Sequence, residues 1–270
     1  MEMILVKSNV RNWLLVGTVL FIVLGCSNDK DNDANTTDQA ILSQAEVAQI
    51  LDTDELSGIA DNIITGIFMD NPNGLSAKTQ PDCYEADYGD AGFSVTFTDC
   101  SIDDAASVNG TLAVTYTSGE DSLSFTVSFD NFTVDGIVLN GTRSFSFNGL
   151  VEQDAFVFTV TSDMDLTLED GTLISETGTK TFGFSLMDSL EDSGFTIDGD
   201  WTVTLDDNTY MITVDTTLKG NFSCDYLHTG ILQISKNGIE VSVDFGDGSC
   251  DNLATLIYPD GSMEEFSLDD

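Results

Sequence analysis

The feature that most constrains the fold of this chain is a regular alternation of apolar and polar residues from Gly92 to the C-terminus. In the first run, Phe93, Val95 and Phe97 are separated by Ser and Thr residues. The same pattern returns in Leu123–Phe129, Phe156–Leu168, Phe195–Leu205, Tyr210–Leu218 and Ile239–Phe245. A period of two residues with one apolar face is typical of antiparallel strands that water wets on one side.

Dipeptides that favour tight turns separate these runs. They are Asp135-Gly136, Asn140-Gly141, Asp170-Gly171, Asp207-Asn208, Asn237-Gly238 and Asp260-Gly261. Their spacing predicts about ten to twelve strands joined mainly by hairpins. We therefore predict a mainly β fold with one large antiparallel meander sheet, either a curved half-barrel or a sandwich. Long strands suit a strongly curved sheet, which favours the half-barrel.

A helical period precedes the strands, between residues 39 and 69. Ser43 and Glu46 have the spacing of a capping box at a helix N-terminus. Apolar residues then recur at steps of three and four, at Leu56, Ile59, Ala60, Ile63, Ile64 and Ile67. The pattern predicts an amphipathic helical segment, interrupted near residues 52–54, that packs on the apolar face of the sheet. Residues 70–91 are predicted to form a loop.

The N-terminus has the pattern of an export signal. Twelve mostly apolar residues, Trp13–Leu24, follow a short basic head and end at Gly25-Cys26. They are too few to cross a bilayer, which requires about 20 apolar residues. We therefore predict a lipoprotein signal peptide at residues 1–25 and a diacylglycerol on the thiol of Cys26. The alternative is an uncleaved N-terminal anchor.

The mature chain is predicted to have two parts. Residues 26–38, rich in Asp and Asn, form a flexible acidic tether, and residues 39–270 form one helix-plus-β domain. Ser27 and the Asp29–Asp31 stretch resemble the acidic export tag of surface lipoproteins from Bacteroidetes. Two tail segments resemble lipoproteins of the same phylum, Cys224–Gly230 and Val243–Asn252. The resemblance implies an extracytoplasmic β-rich fold at the outer membrane, leaves the leaflet open and transfers no catalytic residue.

Four cysteines remain besides the lipidation site, namely Cys83, Cys100, Cys224 and Cys250. An even number in an exported protein predicts two disulfides, and four cysteines allow three pairings. Pairing of Cys83 with Cys100 and of Cys224 with Cys250 is favoured, because each disulfide then encloses one short segment of the chain. Disulfides placed there would hold edge strands at the two ends of the sheet. Zinc binding is not expected, since His228 is the only histidine and no two cysteines have close spacing.

Composition excludes one class of partner. The chain has 47 acidic and 8 basic residues and a formal net charge of −39. Nucleic acid is excluded because affinity for it comes from Lys and Arg that neutralise phosphates. An anionic membrane surface also repels such a chain, so the predicted membrane contact is the lipid on Cys26. The sequence does not identify a protein or glycan partner, and no cofactor is expected.

The polar residues offer two candidate sites, one for calcium binding and one for catalysis. Asp244, Asp247 and Asp251 offer carboxylates to calcium, but they lack the spacing of a known calcium loop, which favours solvated acids in a glycine turn. His228 would need an activated serine to act as a general base, and the sequence has no nucleophile elbow. A position beside a hairpin near Cys224 is favoured for it.

The remaining candidates are aromatic. Trp201 and Tyr210 could stack on sugars, yet both fit the apolar phase of their strands, which favours the core. We therefore predict no catalytic or metal site, and a lipid-anchored protein with a noncatalytic binding or surface-structural role rather than an enzyme. The alternatives are a carrier of a hydrophobic ligand in a half-barrel and a surface glycan hydrolase. A hydrolase would need two carboxylates at catalytic separation, which abundant acids do not identify.

Overall fold

The computed structural model describes most of the β region and one helix. The described residues are 42–53, 83–102, 106–118, 123–152, 155–187, 189 and 191–268. The predicted signal peptide, Cys26, the tether and the longer helix predicted over 54–69 lie outside them.

Within the described residues, thirteen strands follow one short helix, α1, at residues 44–53. The strands are β1 (Tyr84–Gly89), β2 (Gly92–Ile102), β3 (Ala106–Ser118), β4 (Leu123–Val134), β5 (Ile137–Glu152), β6 (Ala155–Thr167), β7 (Leu173–Ser185), β8 (Gly194–Leu205), β9 (Asn208–Asn221), β10 (Thr229–Lys236), β11 (Ile239–Asp247), β12 (Leu253–Ile257) and β13 (Met263–Ser267). Their order in the sheet is their order in the chain. The predicted antiparallel meander is confirmed as one open sheet, with β1 and β13 as its edges among the described strands.

Alternation separates the two faces of the sheet. Along β6, Val160, Met164 and Leu166 are buried whereas Thr161 and Asp163 are exposed. We call the face that carries the buried residues the core face. The buried apolar side chains of β2 to β13 form one cluster there, and removal of their apolar surface from water is the main stabilising contribution.

Helix α1 packs on this core face through apolar side chains. Leu42, Val47 and Ile50 are almost fully buried in the same cluster as the strand residues. The Ser43 Oγ accepts a hydrogen bond from the backbone N–H of Glu46 at 3.3 Å, as the capping box predicts. The predicted contact between helix and sheet is therefore confirmed for the described part of the segment.

The carboxylate of Glu46 ties α1 to the sheet. It accepts hydrogen bonds from the hydroxyl of Tyr210, at 2.6 Å, and from Nζ of Lys236. Burial alone would raise the pKa of Glu46, but the bonds from Lys236 and Tyr210 outweigh it and hold the pKa below its ordinary value. The helix is thus positioned by an ion pair as well as by apolar contact.

The loop predicted over residues 70–91 contains a strand, which corrects that prediction. Strand β1 pairs with β2, so that Tyr84 faces Phe97 with ring centroids 5.6 Å apart. Only Tyr84 and Ala86 are half-buried, and the other residues of β1 are exposed. An edge strand with one weakly buried face has too little apolar alternation to stand out in the sequence.

The turn predicted at Asn140-Gly141 is also wrong, because both residues lie inside β5. The pairing of β4 with β5 shifts register between Phe129 and Phe132. There the backbone N–H of Asn131 donates to the Asn140 side chain at 2.8 Å. Gly141 has a φ of 111°, a conformation that glycine adopts without strain. The dipeptide therefore lies opposite a β-bulge in the sheet and does not form a hairpin turn.

Both disulfides have the predicted nearest-neighbour pairing. Cys83 and Cys100, with Cα atoms 5.1 Å apart, connect the start of edge strand β1 to β2. Cys224 and Cys250, 5.7 Å apart, join the segment after β9 to the segment after β11. The expectation that disulfides hold both edges is thus correct only for β1, since the other edge strand is β13.

Candidate ligand-binding site

Among the described residues, three charged side chains are buried on the largely apolar core face. Arg143 on β5 and Glu176 and Lys180 on β7 are 2%, 1% and 4% exposed. Lys180 Nζ donates to Glu176 Oε2 at 3.1 Å. Such pairing is required because an isolated ion costs several kcal/mol to move out of water. The charge of Lys180 is therefore matched locally by Glu176.

Trp201 lies beside this ion pair. It is directly opposite Gly178 in the pairing of β7 with β8, and Lys180 Nζ lies 4.6 Å from the centroid of its ring. A cation at this distance over an indole is attracted by the negative face of the ring. Gly178 has a φ of 143°, and a Cβ there would come within 2.6 Å of the Asp200 carbonyl oxygen and closer still to the Trp201 backbone. A glycine thus allows the close approach of the Trp201 strand.

An apolar cavity of about 250 Å³ lies next to Trp201. Ile50 and Leu51 of α1 line one side of it. Trp201 and other apolar side chains of β8 to β11 line the sheet side, and residues 225–227 complete the wall. This volume is slightly below the roughly 300 Å³ at which pockets for small organic ligands begin. The cavity therefore suits a slender apolar group such as an alkyl chain.

A band of nine phenylalanines, the phenylalanine band, extends across the sheet from this cavity. Its members are Phe125, Phe145, Phe147, Phe156, Phe158, Phe182, Phe184, Phe195 and Phe222. Neighbouring rings have centroids 4.7 to 6.5 Å apart, in the range of favourable aromatic contacts. All except Phe145 are only half-buried. Phe182 pairs with the cavity residue Ile197, so the band borders the cavity.

In the acidic turn considered as a calcium site, the carboxylates accept hydrogen bonds from the chain itself. Asp244, Asp247 and Asp251 each accept a hydrogen bond from the backbone N–H two residues further on, at 2.9, 3.2 and 3.1 Å. Asp247 also accepts from the hydroxyl of Ser249 at 2.9 Å, and these bonds lower the pKa of its carboxyl. This is the geometry of capped turns, as the solvated-turn interpretation predicts.

The other residues named from the sequence lie where the favoured interpretations place them. His228 is half-buried in the segment after β9, with Nδ1 3.0 Å from the hydroxyl of Thr229. Trp201 and Tyr210 are 5% and 2% exposed on the core face. Sequence reasoning missed Arg143 and the Glu176–Lys180 pair. The sequence does contain a signal for them, because each of these charged residues occupies a position that the alternation of its strand assigns to the apolar face.

The described residues contain neither a metal-binding group of side chains nor a membrane-spanning helix. Across residues 42–268, as far as they are described, no three His, Cys, Asp or Glu side chains are grouped so as to hold a metal ion. Helix α1 has neither the length nor the apolarity to cross a membrane, and the described residues contain no other helix that has both. No family model, curated protein or solved structure matches the chain.

Proposed function

We propose that this chain is a noncatalytic lipoprotein of the outer membrane that acts by binding. The export signal and Cys26 support the anchor, and the two disulfides support a location outside the cytoplasm, where such bonds persist. The observation that carries the binding role is the apolar cavity beside Trp201, because it offers a ligand space between α1 and the core face of the sheet.

The anchor is tested by mass spectrometry of the N-terminal peptide of protein from a native membrane fraction. We expect loss of residues 1–25 and a Cys26 that carries a diacylglycerol. The Cys26→Ser variant should lose the lipid mass and retain residues 1–25, whereas a Ser27→Ala variant should be lipidated and cleaved like the wild type. An unmodified Cys26, or retention of residues 1–25, would overturn the proposed anchor.

A second candidate function, a carrier of a hydrophobic ligand, is favoured by a specific observation. The cavity opens beside the half-buried phenylalanine band, so an alkyl chain could leave water along both surfaces. Burial of apolar surface contributes roughly 25 cal/mol per Å². A surface-structural protein has no need of such a continuous apolar path.

Native mass spectrometry of the mature chain with Cys26→Ser, produced without residues 1–25, tests the carrier function. We expect a co-purified apolar molecule, or uptake of an added alkyl ligand at one per chain. An Ile197→Phe variant, which places a larger side chain in the cavity wall, should lose the bound mass. A variant that keeps the same bound mass would show that the ligand lies elsewhere.

A further inference from the structure

We infer that the cavity beside Trp201 selects an apolar ligand with a positively charged head group, and that the carboxylate of Asp225 receives this head. The inference rests on the proposed carrier function and specifies the chemistry of its ligand. Three features support it, namely the apolar lining of the cavity, one exposed carboxylate in that lining and the strongly acidic composition of the whole chain.

The interior of the cavity fits the alkyl part of the ligand. Ile50 of α1, Ile197 and Trp201 of β8 and Leu232 of β10 surround about 250 Å³ with apolar atoms. Lys180 Nζ lies 4.6 Å from the centroid of the Trp201 ring, but its charge is matched by Glu176 at 3.1 Å. An anionic head would therefore gain little beside Trp201, and the apolar interior is suited to the uncharged tail.

Asp225 determines the charge preference at the other end. Among the described residues that line the cavity it is the one charged side chain, and it is exposed. A cation beside a carboxylate gains Coulomb energy, whereas an anion at the same place is repelled. The formal net charge of −39 acts in the same direction, because the field of the whole chain attracts cations and repels anions.

Three alkyl ligands of equal length test the preference, namely decylammonium, decanol and decanoate, each below its micelle-forming concentration. Trp13 lies in the predicted signal peptide, so Trp201 is the only tryptophan of the predicted mature chain and reports on the cavity by its fluorescence. In the mature chain with Cys26→Ser, produced without residues 1–25, we expect decylammonium to bind most tightly and decanoate least. Added salt should reduce the difference, because it screens exposed charges.

Two charge variants distinguish the effect of the Asp225 carboxylate on binding from the effect of the net charge of the chain. Asp225→Asn should weaken decylammonium binding about twofold to fivefold, as expected for an exposed ion pair, and leave decanol binding unchanged. Asp215→Asn removes the same charge from an exposed position on β9 outside the cavity wall. It should leave the preference intact.

The outcomes distinguish this inference from the carrier function on which it rests. Binding of none of the three ligands would overturn both. Equal binding of all three, blocked by Ile197→Phe, would retain the carrier and overturn the charge preference. An equal effect of Asp225→Asn and Asp215→Asn would overturn the role of Asp225.

Discussion

The close approach of β7 to β8 at Gly178 leads to a quantitative prediction for Gly178→Ala. The residue has a φ of 143°, a sparsely populated conformation that costs a side-chain-bearing residue roughly 1 to 3 kcal/mol. An added Cβ would also come within 2.6 Å of the Asp200 carbonyl oxygen. Since backbone atoms are in the way, the strands must separate, and overpacking of this kind costs roughly 1 to 3 kcal/mol. We expect a total loss of about 2 to 6 kcal/mol in the free energy of unfolding.

Gly238→Ala is the matched control. Gly238 has a φ of 79°, and nothing lies within 4 Å of the position of its Cβ. Only the conformational cost applies, about 1 to 2 kcal/mol. Urea unfolding followed by far-ultraviolet circular dichroism and by Trp201 fluorescence measures both losses, since Trp201 lies opposite Gly178. If the two variants lose equal stability, the close backbone approach at Gly178 contributes nothing and the argument is refuted.

Three further predictions concern the contacts that hold α1 and the second disulfide. The stabilisation that Glu46 gains from Lys236 is present at neutral pH and lost as the pH falls below the ordinary glutamate pKa of about 4.3, because the folded-state pKa is depressed. The difference in unfolding free energy between the wild type and Glu46→Gln should therefore shrink in acid, and a difference that does not depend on pH would contradict this. Tyr210→Phe removes a hydroxyl that donates to Glu46, and thermal unfolding should show a loss of about 1 kcal/mol. Replacing Cys224 and Cys250 together by Ser should cost about 3 to 4 kcal/mol in urea unfolding, given their sequence separation of 26, and an unchanged midpoint would show that the bond constrains little.

Most strands of the sheet could be predicted, because the alternation of apolar and polar residues within a strand indicates it without reference to its neighbours. A strand such as β6 shows its buried face through alternate residues, whichever strands lie beside it. Two of the wrong predictions concern places where a neighbouring strand determines the local structure. Asn140-Gly141 suits a turn or a bulge equally well, and the register of β4 selects the bulge. The weakly patterned β1 becomes a strand through its pairing with β2.

The candidate site was much less predictable, because its parts are distant in the sequence. The cavity exists where Ile50 of α1, Trp201 of β8 and the segment containing Asp225 meet, and no spacing in the sequence indicates that meeting. The Glu176–Lys180 pair was within reach of sequence reasoning. Residues four apart in a strand share a face, so opposite charges at apolar positions indicate a buried ion pair.

The strand order of the sheet also determines how the chain can fold. Every strand pairs with the strand before it in the sequence, so no strand waits for a distant partner. Such local pairing corresponds to low contact order and favours fast folding. A chain that emerges with its N-terminus first can therefore add one strand at a time, and each new strand pairs with the strand that precedes it. The two disulfides, which close separations of 17 and 26 residues, can each form as soon as that part of the sheet has been added.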